Sequence, residues 1–162
     1  IAIRASITGH LVLSTLHTND AITAIPRLLD LNVDRFLLSS SLLAIVSQRL
    51  VRKICSYCKK EYRPTDADML RLKFAGTNEQ IETAFVGAGC KACNSTGYAG
   101  RIAIGEIMIV DDEIKELVST AASIKTIRDT MVKKKMRFLL ESGMQNVRNG
   151  MTTIEEVLRV AG

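Results

Sequence analysis

The sequence has no tryptophan, and aromatic residues make up only 4% of its 162 positions. A hydrophobic core must therefore be built from aliphatic side chains, and a hydrophobic content of 47% is enough to form one. No apolar run approaches the roughly 18 residues that a membrane-spanning helix needs, so no transmembrane helix is expected. The composition therefore predicts an aliphatic core, and the length of 162 residues corresponds to one domain or two small ones.

Several common chemical signatures are also missing. There is no GxxxxGK[ST] phosphate loop, no GxGxxG after a strand, and no serine, histidine and acid arrangement that suggests a catalytic triad. The formal charge of +5 is a mild excess that does not by itself require a nucleic-acid or anionic-membrane partner. The basic run Lys133–Arg137 is more typical of a solvated helix face than of a binding site.

Four cysteines, the full complement of the chain, form two matched pairs: Cys55-Ser-Tyr-Cys58 and Cys90-Lys-Ala-Cys93. Two residues between the members of a pair allow both sulfurs of one turn to face the same ion. Two such turns complete a tetrahedron of thiolates, a geometry that Zn²⁺ accepts readily. Because four thiolates leave no open coordination position, the spacing predicts a structural zinc site.

Three other interpretations of the cysteines remain open: two disulfides, redox-active CxxC pairs, or an iron–sulfur cluster. Disulfides need an oxidising compartment, and nothing in the sequence resembles a secretory signal. A redox CxxC normally opens a helix after a strand, whereas two matched copies with basic flanks favour a structural role. The intervening residues 59–89 exceed the usual zinc-ribbon loop and could hold a small folded insert.

The first third of the chain predicts alternating helices and strands. A helix should end at Ile7 before Thr8-Gly9, and the apolar run within His10–His17 predicts a strand buried on both faces. A helix over about 20–30 contains Pro26, which predicts a later start or a kink. Another helix is expected over 36–43, and a strand over 44–54 leads to Cys55. This order is typical of half of an α/β sheet.

The remainder predicts a short helix, a strand and four further helices. Pro64-Thr65-Asp66 should open a helix that ends at Phe74, and residues 101–110 form a strand with Gly105 at a bulge or a close backbone approach. Asp111 and Asp112 should cap the next helix, and helices are expected over about 123–135 and 136–148. The last begins at a capping box, Thr152-x-x-Glu155. The four helices predict a small helical domain.

The two histidines lie at opposite ends of the predicted buried strand. Their odd separation directs them to opposite faces, so they are not expected to share a metal ion. His10 is interpreted as a strand-start residue hydrogen-bonded to a turn. His17 precedes the polar residues Thr18–Asp20 at a predicted helix start, and ligands of open parallel sheets bind at such strand ends. His17 is therefore a candidate functional residue.

The segment Thr8–Ala21, TGHLVLSTLHTNDA, resembles the histidine box of the secretion ATPases, the hexameric motors of type II secretion and type IV pilus assembly. The resemblance continues through Arg27–Asp30, Phe36–Leu42, Ser47–Arg52, the four-cysteine segment, Gly97–Arg101 with Glu106, and Gly150–Val157. It therefore covers nearly the whole chain, with several motifs in the same order.

This resemblance implies an α/β fold that is the C-terminal half of a RecA-like core, followed by a tetracysteine zinc module and a small helical domain. The expected boundaries are 1–54 for the partial core, 55–97 for the zinc module, and 98–162 for a strand or β-hairpin with the helices. His17 would lie near the γ-phosphate as the catalytic histidine, with His10 as a second candidate. Cys55, Cys58, Cys90 and Cys93 would bind the zinc.

The resemblance also implies that Walker A, the acidic box and the Walker B acid lie outside these residues. The chain alone is then expected to be inactive, with ATP and Mg²⁺ bound only by a longer parent ATPase. That parent would be a cytoplasmic homo-hexamer at the inner face of the membrane, with an inner-membrane platform protein as its partner and no nucleic acid. The start at Ile1, without a cap, is interpreted as a cut within a longer chain, and a truncated sheet predicts self-association.

Two alternative functions come from other classes. The first is a free-standing zinc-binding interaction or nucleic-acid-binding module, for which the pI near 9.2 is the argument. The second is a redox CxxC protein with reactive thiols and no metal.

Overall fold

The computed structural model describes residues 2–162, which form a mixed helix and strand structure. The chain divides into two compact units, one made of residues up to Ser47 with Glu106–Arg137, the other of Gln48–Gly105 with Phe138–Gly162. Within residues 2–162, no helix combines the length and the apolar character that crossing a membrane requires. The helices are α1 Ala2–Ile7, α2 Ala24–Asp30, α3 Arg35–Ser41, α4 Asp66–Phe74, α5 Asp112–Ser119, α6 Ile124–Lys133, α7 Leu139–Arg148 and α8 Ile154–Ala161. The strands are β1 Ala44–Ile54, β2 Lys59–Tyr62, β3 Ala84–Gly87 and β4 Tyr98–Ile109.

In the first unit, helix α3 packs against α1 and α5. Asp34 caps α3 by accepting hydrogen bonds from the amides of Phe36 and Leu37, and Asp111 caps α5 through the amide of Ile114, as the sequence predicted for α5. The fully buried apolar side chains of this unit are aliphatic: Ala21, Ile22, Leu38, Met108 and Ile114. The prediction of an aliphatic core is confirmed here.

The predicted strand over His10–His17 is wrong. Residues 10–18 form neither helix nor strand, and Leu11 and Leu13 are 76% and 89% exposed. A run of leucines is stable as a buried strand only when neighbouring strands pair with its backbone and helices cover its faces. The described residues supply neither for this segment.

Helix α2 starts at Ala24, later than the predicted 20–30, so the later start and not a kink accommodates Pro26. The proline lies in the first turn, where its missing amide removes no intrahelical hydrogen bond. The polar residues before the helix form a separate turn: Asp20 Oδ1 accepts a hydrogen bond from the amide of Thr23 at 2.7 Å.

Strands β1 and β4 pair with each other in a two-stranded sheet. The amide of Val110 donates to the carbonyl of Leu43, and that of Cys55 donates to Gly97, so the start of one strand lies beside the end of the other and the pair is antiparallel. β1 has the predicted bounds, while β4 begins three residues before the predicted Arg101. Gly105 within β4 donates its amide to Ser142 Oγ at 3.1 Å.

The second unit contains a strand pair that sequence reasoning missed. β2 and β3 are antiparallel, with Lys59 opposite Gly87 and Tyr62 opposite Ala84. Helix α4 has the predicted bounds and opens with a capping box between Thr65 and Asp68. One core cluster of this unit comprises Leu72, Ile81, Ala84, Met144, Val147, Ile154 and Val157, and a second comprises Val51, Ile104 and Leu139.

The last helix begins one residue later than the predicted capping box. Thr153, and not Thr152, caps α8 by accepting from the amide of Glu156 at 3.1 Å. Thr152 Oγ1 instead donates to the carbonyl of Arg52 at 2.8 Å. The predicted box partner Glu155 is exposed.

The four helices after β4 belong to different units, α5 and α6 to the first and α7 and α8 to the second. α7 packs against both α8 and β3. The single helical domain and the division at residues 54 and 97 therefore remain predictions.

Candidate metal centre

The four cysteines lie in two short turns that the β-strands bring together. Cys55 directly follows β1 and Cys58 directly precedes β2, while Cys90 and Cys93 bracket a single 3₁₀ turn before β4. None of the four takes part in a disulfide bond. Cys55 and Cys93 are buried, and Cys58 and Cys90 are half-buried.

The sulfurs form a compact cluster. The Sγ atoms of Cys55 and Cys90 are 3.9 Å apart, those of Cys58 and Cys93 are 3.8 Å apart, and those of Cys90 and Cys93 are 3.7 Å apart. All four sulfurs lie within 4.8 Å of one another. A tetrahedron with an ion about 2.3 Å from each sulfur has edges of about 3.8 Å. The cluster therefore has the size that one four-coordinate metal ion requires.

Backbone amides point at the sulfur of Cys93. The amide of Cys90 donates to it at 3.2 Å and that of Gly97 at 3.3 Å. Asn94 and Ser95 have left-handed backbone conformations, with φ of 49° and 61°, and these let the chain reverse directly after the turn. Hydrogen bonds from two amides stabilise a thiolate more than a thiol, so the fold supports the ligand form of this cysteine.

The pKa values of two cysteines in the cluster are shifted in opposite directions. Burial of the Cys93 sulfur opposes ionisation, but the amides of Cys90 and Gly97 outweigh it and lower the pKa of Cys93 to about 6. Burial and the neighbouring thiols raise the pKa of Cys58 to about 12. In the absence of a cation, one thiolate is favoured and a second beside it is not. A divalent metal ion removes this conflict because it compensates the charge of all four thiolates.

The backbones of Gly87 and Gly97 approach each other closely beside the cysteine turns. A side chain at Gly87 would collide with the carbonyl of Gly97, and one at Gly97 would collide with the carbonyl of Gly87. Gly97 also has a left-handed φ of +77° and accepts the hydrogen bond from the amide of Cys55 at 3.0 Å. Glycine is therefore required at both positions for the sulfurs to converge.

Residues next to the cysteines also hold the start of α8. The amide of Ile54 donates to the carbonyl of Met151 at 2.9 Å, and the hydroxyls of Tyr98 and Thr153 are 2.9 Å apart. Two basic residues of the flanks have partners within the fold. The guanidinium of Arg52 lies 4.1 Å from the centre of the Tyr98 ring, and Lys59 Nζ lies 4.1 Å from the centre of the Phe85 ring.

The two candidate catalytic histidines lie outside this cluster, in the first unit. Both are exposed on residues 10–18. The hydroxyl of Thr8 is 3.3 Å from His10 Nδ1, and the amide of His10 donates to the carbonyl of Ala5. His10 thus continues from α1, whereas His17 lies beside the turn that opens α2.

The sequence analysis named Glu106 only within the family resemblance and did not predict that Glu106 and Glu156 are buried. Glu106 Oε1 accepts a hydrogen bond from the amide of Ala21 at 2.6 Å, and Glu156 accepts hydrogen bonds from Arg52 and Arg159. Glu156 could have been found from its position, since it lies between Ile154 and Val157 on the buried face of α8. An acid on an apolar helix face usually has a basic partner.

The chain is similar to curated proteins of bacterial secretion and pilus machines. It is 43% identical over 158 residues to the type IV pilus assembly ATPase PilB of Thermus thermophilus, covering 98% of this chain and 18% of that protein. It is 42% identical over 160 residues to the type II secretion system protein HxcR of Pseudomonas aeruginosa, covering 99% of this chain and 30% of that protein. It is 41% identical over 160 residues to the type II secretion system ATPase E of Vibrio cholerae, covering 99% of this chain and 31% of that protein.

Among solved structures, the pilus retraction motor PilT with bound ADP has a related fold. The TM-score is 0.62 at 24% identity, over 98% of this chain and 34% of that one. The family model described as "Type II/IV secretion system protein" matches residues 1–159, and the chain belongs to this family. The chain spans 18–31% of the length of these curated relatives.

Proposed function

We propose that this chain is part of a cytoplasmic hexameric ATPase that powers pilus assembly or type II secretion, and that its four cysteines hold one structural zinc ion. The observation that carries the metal assignment is the sulfur tetrahedron, with three edges of 3.7–3.9 Å. Zinc is the divalent ion that most often occupies an all-thiolate tetrahedral site in a reducing compartment. Four protein ligands leave no position for water or substrate, so the ion stabilises the fold.

Elemental analysis of the purified chain tests the metal assignment. We expect one zinc per chain, and a Cys90→Ser variant should lose most of it. Tyr57→Ala is the matched control, because Tyr57 lies between two cysteines and is 83% exposed. Iron with visible absorption would instead indicate an iron–sulfur cluster. Reactive thiols without bound metal would indicate a redox pair.

The nucleotide chemistry is proposed to require residues beyond these 162. Phosphoryl transfer needs backbone donors and a lysine around the phosphates, and Mg²⁺ held by a hydroxyl and an acid. The sequence contains no GxxxxGK[ST] motif. In a longer parent that binds ATP and Mg²⁺, His17 is proposed to lie near the γ-phosphate, with His10 as the second candidate.

The purified chain should therefore neither bind ATP tightly nor hydrolyse it. Isothermal titration with MgATP and a steady-state phosphate-release assay measure these two properties. Steady-state hydrolysis that His17→Ala abolishes and His10→Ala leaves unchanged would contradict the proposal, because the chain would then contain a complete site.

The partners proposed for the parent are its own copies in a hexamer and an inner-membrane platform protein. Its place is the cytoplasmic face of that membrane. The support for this assignment is the family of the chain and its similarity to proteins named for pilus assembly and type II secretion. Self-association of the chain through residues 1–20 stays a proposal, but residues 10–18 form no strand edge, so the exposed Leu11 and Leu13 are its proposed contacts. Light scattering that gives a monomer at high concentration would contradict that step.

A further inference from the structure

We propose that Glu106 is a positioning residue for His17: it fixes the point at which the exposed histidine segment, residues 10–18, joins the folded part of the first unit. This inference rests on the proposed nucleotide role of His17. The observations that carry it are the contacts of Glu106 and Asp20 within that unit.

Glu106 is 2% exposed, and its Oε1 accepts the hydrogen bond of the Ala21 amide at 2.6 Å. A buried carboxylate requires hydrogen-bond donors to compensate its lost hydration, and the bond to a charged acceptor is strong. The donor comes from 85 positions earlier in the chain. This contact therefore fixes Ala21 against β4, where Glu106 lies between the buried residues Ile104 and Met108.

Ala21 and Ile22 are both fully buried, while His17 is exposed. The transition from exposed segment to core thus occurs within four residues, and the bond to Glu106 lies at its inner end. Because consecutive Cα atoms are about 3.8 Å apart, the Cα atom of His17 lies no more than about 15 Å from that of Ala21. The bond between Ala21 and Glu106 therefore limits how far the imidazole of His17 can lie from β4.

A second contact acts at the same place. Arg128 Nη2 of α6 donates to Asp20 Oδ2 at 3.0 Å, while Asp20 Oδ1 accepts the amide of Thr23 at 2.7 Å. Burial of Asp20 opposes ionisation, but its bonds to Thr23 and Arg128 outweigh this and lower the pKa of the carboxyl. Glu106 and Arg128 therefore hold neighbouring residues, Ala21 and Asp20, from two different elements.

The other end of the segment is attached differently. The amide of His10 donates to the carbonyl of Ala5 at 3.2 Å, which ties it to the end of α1. His10 should consequently be insensitive to changes at Glu106. Since His10 and His17 are the two histidines of the chain, the imidazole NMR spectrum contains the test residue and an internal reference.

The test compares Glu106→Gln with Glu106→Asp. Glutamine keeps an acceptor oxygen at the same reach and loses the charge, whereas aspartate keeps the charge and withdraws the oxygen by one methylene. Amide exchange at Ala21, measured relative to α5 in the same unit, should rise at least about tenfold in Glu106→Asp and by a smaller factor in Glu106→Gln, which loses the charge but keeps the acceptor oxygen. The imidazole signals of His17 should shift in Glu106→Asp while those of His10 stay in place.

Glu156→Gln is the matched control, since Glu156 is a buried carboxylate of the second unit that accepts a backbone amide. It should leave exchange at Ala21 and the signals of His17 unchanged. Wild-type exchange at Ala21 in Glu106→Asp, or an equal rise across α5, would overturn the positioning role. Neither measurement involves nucleotide, so a failure of the positioning role would not contradict the proposed ATPase function. ATP hydrolysis by the chain alone would contradict the proposed function and not the positioning role.

Discussion

Glu156 accepts three hydrogen bonds from Arg52: one from its backbone amide at 2.9 Å, one from Nε at 3.0 Å and one from Nη2 at 2.8 Å. The carboxylate is fully buried, and Arg159 donates two further hydrogen bonds to it. Arg52 lies on β1, three residues before the first cysteine, and Glu156 lies in the first turn of α8. This ion pair therefore attaches the last helix to the strand that leads into the metal centre.

Replacing Glu156 by alanine should lower the free energy of unfolding by about 2 kcal/mol, because it leaves the part-buried backbone amide of Arg52 without its acceptor and removes the common partner of two half-exposed guanidinium groups. Urea denaturation followed by circular dichroism measures this loss. Glu155→Ala is the control, since Glu155 is its exposed neighbour in the same helix turn. Equal stability of the two variants would show that the ion pair contributes little.

The carboxylate of Glu156 also predicts how the stability of the fold depends on pH. Burial opposes its ionisation, but the hydrogen bonds from Arg159 and Arg52 outweigh this and lower the pKa of Glu156 from 4.5 to about 2. A group with a depressed pKa in the folded state stabilises above its unfolded pKa, and this contribution is lost as the pH falls toward the folded value. Between pH 4.5 and 2, the wild type should therefore lose more stability than Glu156→Gln. Parallel pH profiles of the two proteins would contradict the assignment.

Substitutions at two glycines with nearly the same backbone conformation can distinguish the cost of backbone strain from the cost of a steric clash. Gly97 and Gly100 have φ of +77° and +76°, but a side chain at Gly100 meets nothing within 4 Å, whereas one at Gly97 meets the backbone of Gly87. Gly100→Ala should cost about 1 kcal/mol of unfolding free energy, and Gly97→Ala about 3 kcal/mol or more. Gly97→Ala should also weaken zinc binding in a competition titration with a chelator, while Gly100→Ala should not.

Removal of the metal should loosen α8 as well as the cysteine turns. Apparent binding energies of structural zinc are about 10–16 kcal/mol, comparable with the whole stability of a domain. Hydrogen exchange after chelation should rise across residues 55–97 and also across 151–156, because Ile54 and Tyr98 hold the latter segment. Helix α5 in the first unit serves as the reference. Unchanged exchange over 55–97 after chelation would contradict a structural role for the ion.

Local sequence patterns predicted the elements that are stabilised by residues close together in the chain. The cysteine spacing anticipated that four sulfurs could share one ion, and the alternation of residues 44–54 gave β1 with its observed bounds. The cap at Thr65 fixed the start of α4, since both partners of its box lie within four residues. The histidine roles, the identity of the metal and the parent assembly stay predictions.

Long-range partners explain what the sequence did not predict. The leucines of residues 10–17 have the composition of a strand, but a strand also needs paired neighbours. β2 and β3 escaped notice because Lys59–Tyr62 carries charged residues and pairs with Ala84–Gly87, more than twenty positions away. Thr152 looks like a helix cap in isolation, but its hydroxyl bonds to Arg52, which is 100 positions away in the chain.

The unequal burial of the four sulfurs gives the metal centre an inner and an outer side. Cys55 and Cys93 are enclosed by the fold, whereas Cys58 and Cys90 reach the surface. If the proposed zinc ion is bound, a chelator would reach the two outer thiolates first, and the ion would leave from that side while the two inner thiolates still bound it. Metal exchange would then begin at the solvent-exposed side of the site.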